Sequence, residues 1–130
     1  AALRGVRVEV LTPANGDHPT VQWAARAHYW QVLEHGVRIF ERPGPFDHSK
    51  LMLIDGQWCC LGSANWDARS LRLNFEFNVE VYDTALSTRL ESLFDAARDA
   101  SNEISAMALR ARPLAIRLRD GVARLFTPIL

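Results

Sequence analysis

A histidine and a lysine two positions apart, His48 and Lys50, are followed by Asp55 and then by the run Gly62-Ser63-Ala64-Asn65. An imidazole can attack phosphorus or give a proton to a departing oxygen, and an ammonium beside it can neutralise a non-bridging phosphate oxygen. The hydroxyl of Ser63 and the amide of Asn65 add hydrogen-bond donors for the remaining oxygens. The set reads as a phosphodiester-cleaving site whose parts call for no metal, and it occurs once in the chain. A working histidine also needs its other ring nitrogen held, because that bond selects the tautomer. Glu76 is the candidate carboxylate for this, by analogy with the third member of a hydrolase triad, and Glu80 is the alternative.

These groups work together only if a strand and a turn place them. Residues 48–54 and 57–61 are β-rich and flank Asp55-Gly56, a strong hairpin signal. Alternation along the first strand puts His48 and Lys50 on one face with Met52 and Ile54. By the same count Asp55 falls on the other side, in the turn, so it is assigned to hairpin geometry and not to chemistry. Gly62 is assigned to close backbone approach. The stretch Phe75–Val81 alternates strictly, which predicts a half-buried strand with Phe75, Phe77, Val79 and Val81 inward and Glu76, Asn78 and Glu80 on the other face.

Around this centre, Val6–Leu11 alternates like a strand, and apolar residues recur at helical spacing from Val21 to His35, where Gly36 closes the helix. A short strand, Val37–Phe40, follows. A second helix is expected from Thr84 through Leu86, Leu90, Leu93, Phe94 and Ala97 toward Met107, with Arg112-Pro113 breaking it. The segment from Leu114 to Leu130 carries Leu114, Leu118, Val122 and Leu125 on one side. Its arginines have two readings, contact with anionic headgroups or packing on their own domain. The order of elements predicts an α/β fold, a mixed β-sheet flanked by helices, in a single domain over residues 1–130.

The chain has 130 residues, 48% hydrophobic and 23% charged, which suits one globular domain with its own core. Fifteen basic and 15 acidic side chains cancel, so no global field favours nucleic acid as a partner. Cys59 and Cys60 are neighbours, a poor geometry for bridging each other, and point to a reducing environment. No apolar run is long enough to span a bilayer, so membrane contact is expected to be peripheral or through a part outside this chain. His18 beside a helix start is read as a surface or capping residue, and His28 and His35 as helix-surface residues. Trp66, directly after Asn65, is read as packing or as contact with a lipid, and Asp67 and Arg69 as loop-fixing.

The pattern His-x-Lys-x4-Asp-x6-Gly-Ser-x-Asn resembles the signature of the phospholipase D superfamily, with every fixed position matched. The surrounding text, HSKLMLIDGQWCCLGSANWDARSLRLNFEFNVEVYD, is similar to the second such motif of bacterial cardiolipin synthases. Similarity extends to GVRVEVLTP, to Asp17-His18 and to the basic, leucine-rich end. The resemblance implies a phospholipase D-like half fold and a two-step displacement through a phosphohistidine, without metal or other cofactor. One motif histidine attacks and the histidine of a second motif protonates the leaving alcohol. It implies that His48, Lys50 and Glu76 are catalytic, that Lys50, Ser63 and Asn65 bind the substrate phosphate, and that a phosphatidylglycerol-like phospholipid is the substrate at a bacterial inner membrane. Since one motif is present, the chain is expected to be the C-terminal catalytic half of a longer enzyme, inactive alone. Its partner is then the missing N-terminal half or a second copy of the chain. The alternatives are a phospholipase D-type hydrolase or nuclease working as a homodimer, and an inactive binding module.

Overall fold

The computed structural model describes residues 1–16, 18–65, 70 and 73–126. The elements run β1 (Glu9–Pro13), α1 (Pro19–Leu33), β2 (Arg38–Arg42), β3 (Leu51–Ile54), β4 (Trp58–Gly62) and β5 (Asn78–Val81). They continue through α2 (Thr84–Asp99), β6 (Asn102–Ile104), α3 (Ala106–Arg110) and α4 (Leu114–Leu125). The strands form two three-stranded sheets, one mixed and one antiparallel, and helices flank them, as expected of an α/β phospholipase D-like fold. The single mixed sheet expected from the sequence is thus two ladders, which belong to two compact units.

The first unit comprises residues 1–46 and 100–130. Its sheet has the order β1-β2-β6, with β1 parallel and β6 antiparallel to β2. The βαβ step through α1 is what a parallel pair requires. Pro19 opens α1, where a missing N–H costs nothing. Gly36, at φ 83°, closes it, with the Val37 amide on the Val32 carbonyl at 3.2 Å and its own amide on Leu33 at 3.1 Å.

Ile39 and Phe40 of β2 are buried, as are Ala24 and Tyr29 of α1. Arg26 of α1 grips Glu41 of β2 through two 2.8 Å bonds and also donates to the Ala14 carbonyl at 3.1 Å. The bond to Glu41 raises the Arg26 pKa. Burial pushes the Tyr29 phenol up from its ordinary value, and its hydroxyl meets that of Thr12 at 3.2 Å. Across the sheet, Arg38 bridges Glu9 on one neighbour and Glu103 on the other, at 2.9 Å each.

Strand β6 departs from the sequence expectation, which ran a helix on toward Met107. Helix α2 stops at Asp99, and the three residues Asn102–Ile104 pair with β2, Ile104 lying opposite Ile39. A new helix then starts at Ala106, where the Ser105 side chain accepts from the Ala108 amide at 3.0 Å.

Helix α4 packs on α1 around Asp120, a carboxylate that is 1% exposed. It accepts from Arg112 at 2.8 Å and from Arg119 at 2.7 and 3.0 Å. The Arg119 guanidinium also lies 4.3 Å above the ring of Trp23 on α1. Asp120→Ala is therefore expected to destabilise the chain by about 2 kcal/mol. The figure stands below that of a fully buried pair because both arginines are partly exposed and can be rehydrated. A urea titration read by circular dichroism checks it, and an unchanged midpoint would refute the assignment.

The second unit comprises residues 47–99. Its sheet, β3-β4-β5, is antiparallel throughout, with Leu53 opposite Cys59 and Cys59 opposite Val81. Residues opposite one another share a face. Leu53, Cys59 and Val81 therefore form one row on a single face. Cys59 is fully buried, as is Ser87 on α2. The Asp83 carboxylate starts α2 by accepting from the Leu86 amide at 2.6 Å.

The strand expected over Phe75–Val81 begins only at Asn78, opposite Gly62. Phe75 and Phe77, expected inward, are exposed at 107% and 74%. The reason is the length of the partner: β4 ends at Gly62, so the residues before Asn78 run past the end of the ladder.

Candidate functional site

The three strands of the second unit are antiparallel, so the start of β3, the end of β4 and the start of β5 lie at one end of the sheet. His48 and Lys50 immediately precede β3, Ser63 and Asn65 follow β4, and Glu76 precedes β5. The Gly62 amide donates to the Lys50 carbonyl at 3.3 Å, and the Ser63 amide to the Phe77 carbonyl at 3.0 Å. These two bonds tie the candidate residues to the end of the ladder.

His48 and Lys50 are in direct contact. The Lys50 ammonium meets Nδ1 of the His48 ring and donates to the His48 carbonyl at 2.6 Å. An ammonium has only donors to offer, so this contact suits the ring tautomer that accepts at Nδ1 and is protonated on Nε2. Asp47 fixes the approach to this pair, its carboxylate accepting from the Ser49 amide at 2.9 Å in an Asx turn.

Ser63 and Glu76 form the second pair. The Ser63 hydroxyl donates to Glu76 Oε2 at 2.5 Å and accepts from the Phe77 amide at 3.0 Å. Asn74 donates to the other carboxylate oxygen at 3.4 Å. Asn65 is exposed two residues after Ser63.

Asp55 stands elsewhere. It occupies the turn at the far end of the hairpin, about 16 Å along the chain from Lys50 at the usual rise per residue. It adopts φ 50° and Gly56 φ 62°, with the Gln57 amide on the Ile54 carbonyl at 3.0 Å. Two successive positive φ values are the mark of a type I′ turn, where Asp-Gly is favoured.

Gly62 lies where strands crowd. A Cβ there would collide with the Phe77 carbonyl oxygen and the Asn78 side chain, and would sit 2.7 Å from the Asn78 Cα. Asn78 in turn accepts from the Ala64 amide at 3.3 Å.

Asp47, Asn74 and Asn78 are the residues that sequence reasoning did not single out. The Asp-x-Ser start of an Asx turn was a readable signal for Asp47; the two asparagines gave none, because their partners are distant in sequence. Trp66, Asp67 and Arg69, together with Asp17, lie outside the described residues. His18 caps α1 by position, without a side-chain hydrogen bond to the helix. His28 meets Gln31 on the same helix at 3.3 Å. Among the described residues, no three His, Cys, Asp or Glu side chains group as a metal site would require.

Residues 1–98 match the family model described as cardiolipin synthase, PLD-like domain. The whole chain aligns at 36% identity with the cardiolipin synthase of Oceanobacillus iheyensis, covering 27% of that protein. It aligns at 38% with cardiolipin synthase 1 of Staphylococcus epidermidis and at 37% with the cardiolipin synthase of Staphylococcus aureus, covering 26% of each. The chain spans about a quarter of the length of the curated relatives it matches. With the family model covering most of the chain and the relatives aligned along all of it, this chain belongs to the phospholipase D-like domain family of the cardiolipin synthases.

Proposed function

We propose that residues 1–130 act as one catalytic half of a phosphatidyltransferase that moves a phosphatidyl group between alcohols at a membrane surface. The observation that carries this reading is the contact between His48 and Lys50 at the sheet end that also bears Ser63 and Glu76. The second histidine comes from another such half or from a second copy of the chain. In the first step that histidine's ring nitrogen attacks phosphorus, forming a P–N bond as the P–O bond to the alcohol breaks. His48, with its proton on Nε2, gives that proton to the leaving oxygen. In the second step His48 takes the proton of the incoming alcohol, whose oxygen displaces the phosphohistidine nitrogen.

Lys50 has three N–H bonds; two are directed at His48, and the third can meet a phosphate oxygen. Asn65 and Ser63, which follow β4 at the same sheet end, are the candidates for the remaining oxygens, Ser63 sharing its hydroxyl with Glu76. In the nucleophilic form of the ring, Nδ1–H would instead be donated to a carboxylate, the role for which Glu76 is the candidate. The arrangement at Lys50 favours the proton-donor role for His48. With water as acceptor the same steps give a phospholipase.

The test is to quench the assembled enzyme during turnover of phospholipid labelled in the phosphatidyl phosphorus. Acid-labile label on the histidine of the partner half is the expected result. Turnover without any histidine-bound label would overturn the reading.

A further inference from the structure

Helix α4 wears its apolar residues outward. Leu114, Leu118, Val122 and Leu125 are 67%, 61%, 57% and 76% exposed. At 100° per residue they fall within one narrow stripe, extended by the exposed Phe126. The opposite side of the helix is the one used inside the unit: Asp120 and Ala123 are buried there. The buried side of this helix thus holds a carboxylate while its exposed side carries an apolar stripe.

The charges say what the stripe is for. Arg117 and Arg124 are exposed along one margin of the stripe, and Arg119, above Trp23, borders the other. The only acidic residue of α4 is Asp120, which faces inward and is neutralised by Arg112 and Arg119. The outer surface of α4 is thus apolar along its centre and positive at its edge, with no carboxylate of its own. A protein partner for such a stripe would need only apolar complementarity. Exposed positive charge beside an apolar stripe matches phosphate groups bordering a hydrocarbon layer.

We propose that α4 docks on an anionic phospholipid bilayer, lying in the plane of the interface with Leu114, Leu118, Val122 and Leu125 inserted and Arg117 and Arg124 on the headgroups. At 12 residues the helix is about 18 Å long, which suits lying along the surface and not crossing it. Among the described residues, no helix is long and apolar enough to cross a membrane. The inference stands on α4 alone and not on the chemistry proposed for His48.

The test is co-sedimentation of the chain with vesicles of phosphatidylcholine, with and without phosphatidylglycerol. Binding is expected only with phosphatidylglycerol and should fall as salt rises. The double variant Arg117→Gln/Arg124→Gln is expected to weaken it about tenfold or more, and Leu118→Glu/Leu125→Glu by about a hundredfold. Leu93→Glu, on the exposed face of α2, is expected to leave it unchanged. If the leucine variant loses helical signal, the arginine variant decides, since its substitutions leave the inner face of α4 intact. Unaltered binding by the arginine variant, or an equal loss with Leu93→Glu, overturns the proposal. So does a dimer that Leu118→Glu/Leu125→Glu dissociates without changing vesicle binding, because the stripe would then be a contact between copies.

Discussion

Replacing His48 by alanine, in the enzyme assembled with its second histidine, is expected to slow phosphatidyl transfer by about ten-thousandfold. The expectation follows from the proton that Nε2 carries when Lys50 occupies Nδ1. Without that proton the alcohol must leave as an alkoxide. The loss should depend on the leaving group: an aryl phosphodiester, whose phenoxide departs unaided, should be cleaved by His48→Ala far closer to the normal rate. Parallel kinetics on a phospholipid and an aryl ester separate the cases. An equal loss on both would make His48 the attacking nucleophile, and full activity on both would remove it from the chemistry. Binding of the chain to anionic vesicles, which depends on α4, should be untouched by this variant.

Gly62→Ala is expected to be the most destabilising single-methyl addition in the second unit, at about 3 kcal/mol. Besides the Asn78 side chain, the added carbon meets backbone that cannot swing aside, the Phe77 carbonyl and the Asn78 Cα. β5 must therefore shift away from β4, and with it the bonds from Ser63 and Ala64 to Phe77 and Asn78. Because Glu76 leads into β5 and is held by Ser63, the substitution should also lower activity in whatever fraction remains folded. Thermal unfolding and specific activity measured together check this. A variant with an unchanged melting temperature would show that the sheet has more room at this edge than the geometry allows.

The hairpin was legible because its signals are local. Asp55-Gly56 names its turn and the β-rich runs on either side locate β3 and β4, although β3 begins only at Leu51, three residues after the His48 expected to open it. His48 and Lys50 meet before the strand begins, so their closeness comes from the Lys50 ammonium folding onto the His48 ring and carbonyl and not from strand alternation. Less legible was anything decided by a partner strand. The run Phe75–Val81 alternates along its whole length, yet only the part opposite β4 is a strand, and the sequence of Phe75 and Phe77 does not say that β4 stops at Gly62.

Strand β6 was hidden for a related reason. Three residues are too few for a period, and Asn102-Glu103-Ile104 lies between two helices whose apolar spacing runs on through it. It is a strand because Ile39, Phe40 and Glu41 offer it an edge, a fact written some 60 residues earlier in the chain. The outer face of α4 was half legible: its leucine stripe showed in the sequence, but a stripe is ordinarily read as core. Only the burial of Asp120 on the opposite side reveals which way the helix faces.

The pairing of β2 with β6 also sets an order of events during synthesis. The second unit is one continuous stretch, residues 47–99, whereas the first is interrupted by it. As the chain emerges from the ribosome, β1, α1 and β2 are complete long before the strand that covers the far edge of β2 exists. Until residues 102–104 appear, that edge offers unpaired backbone groups to any extended segment nearby. The insertion of a whole unit between two neighbouring strands therefore makes the nascent chain wait with an open edge.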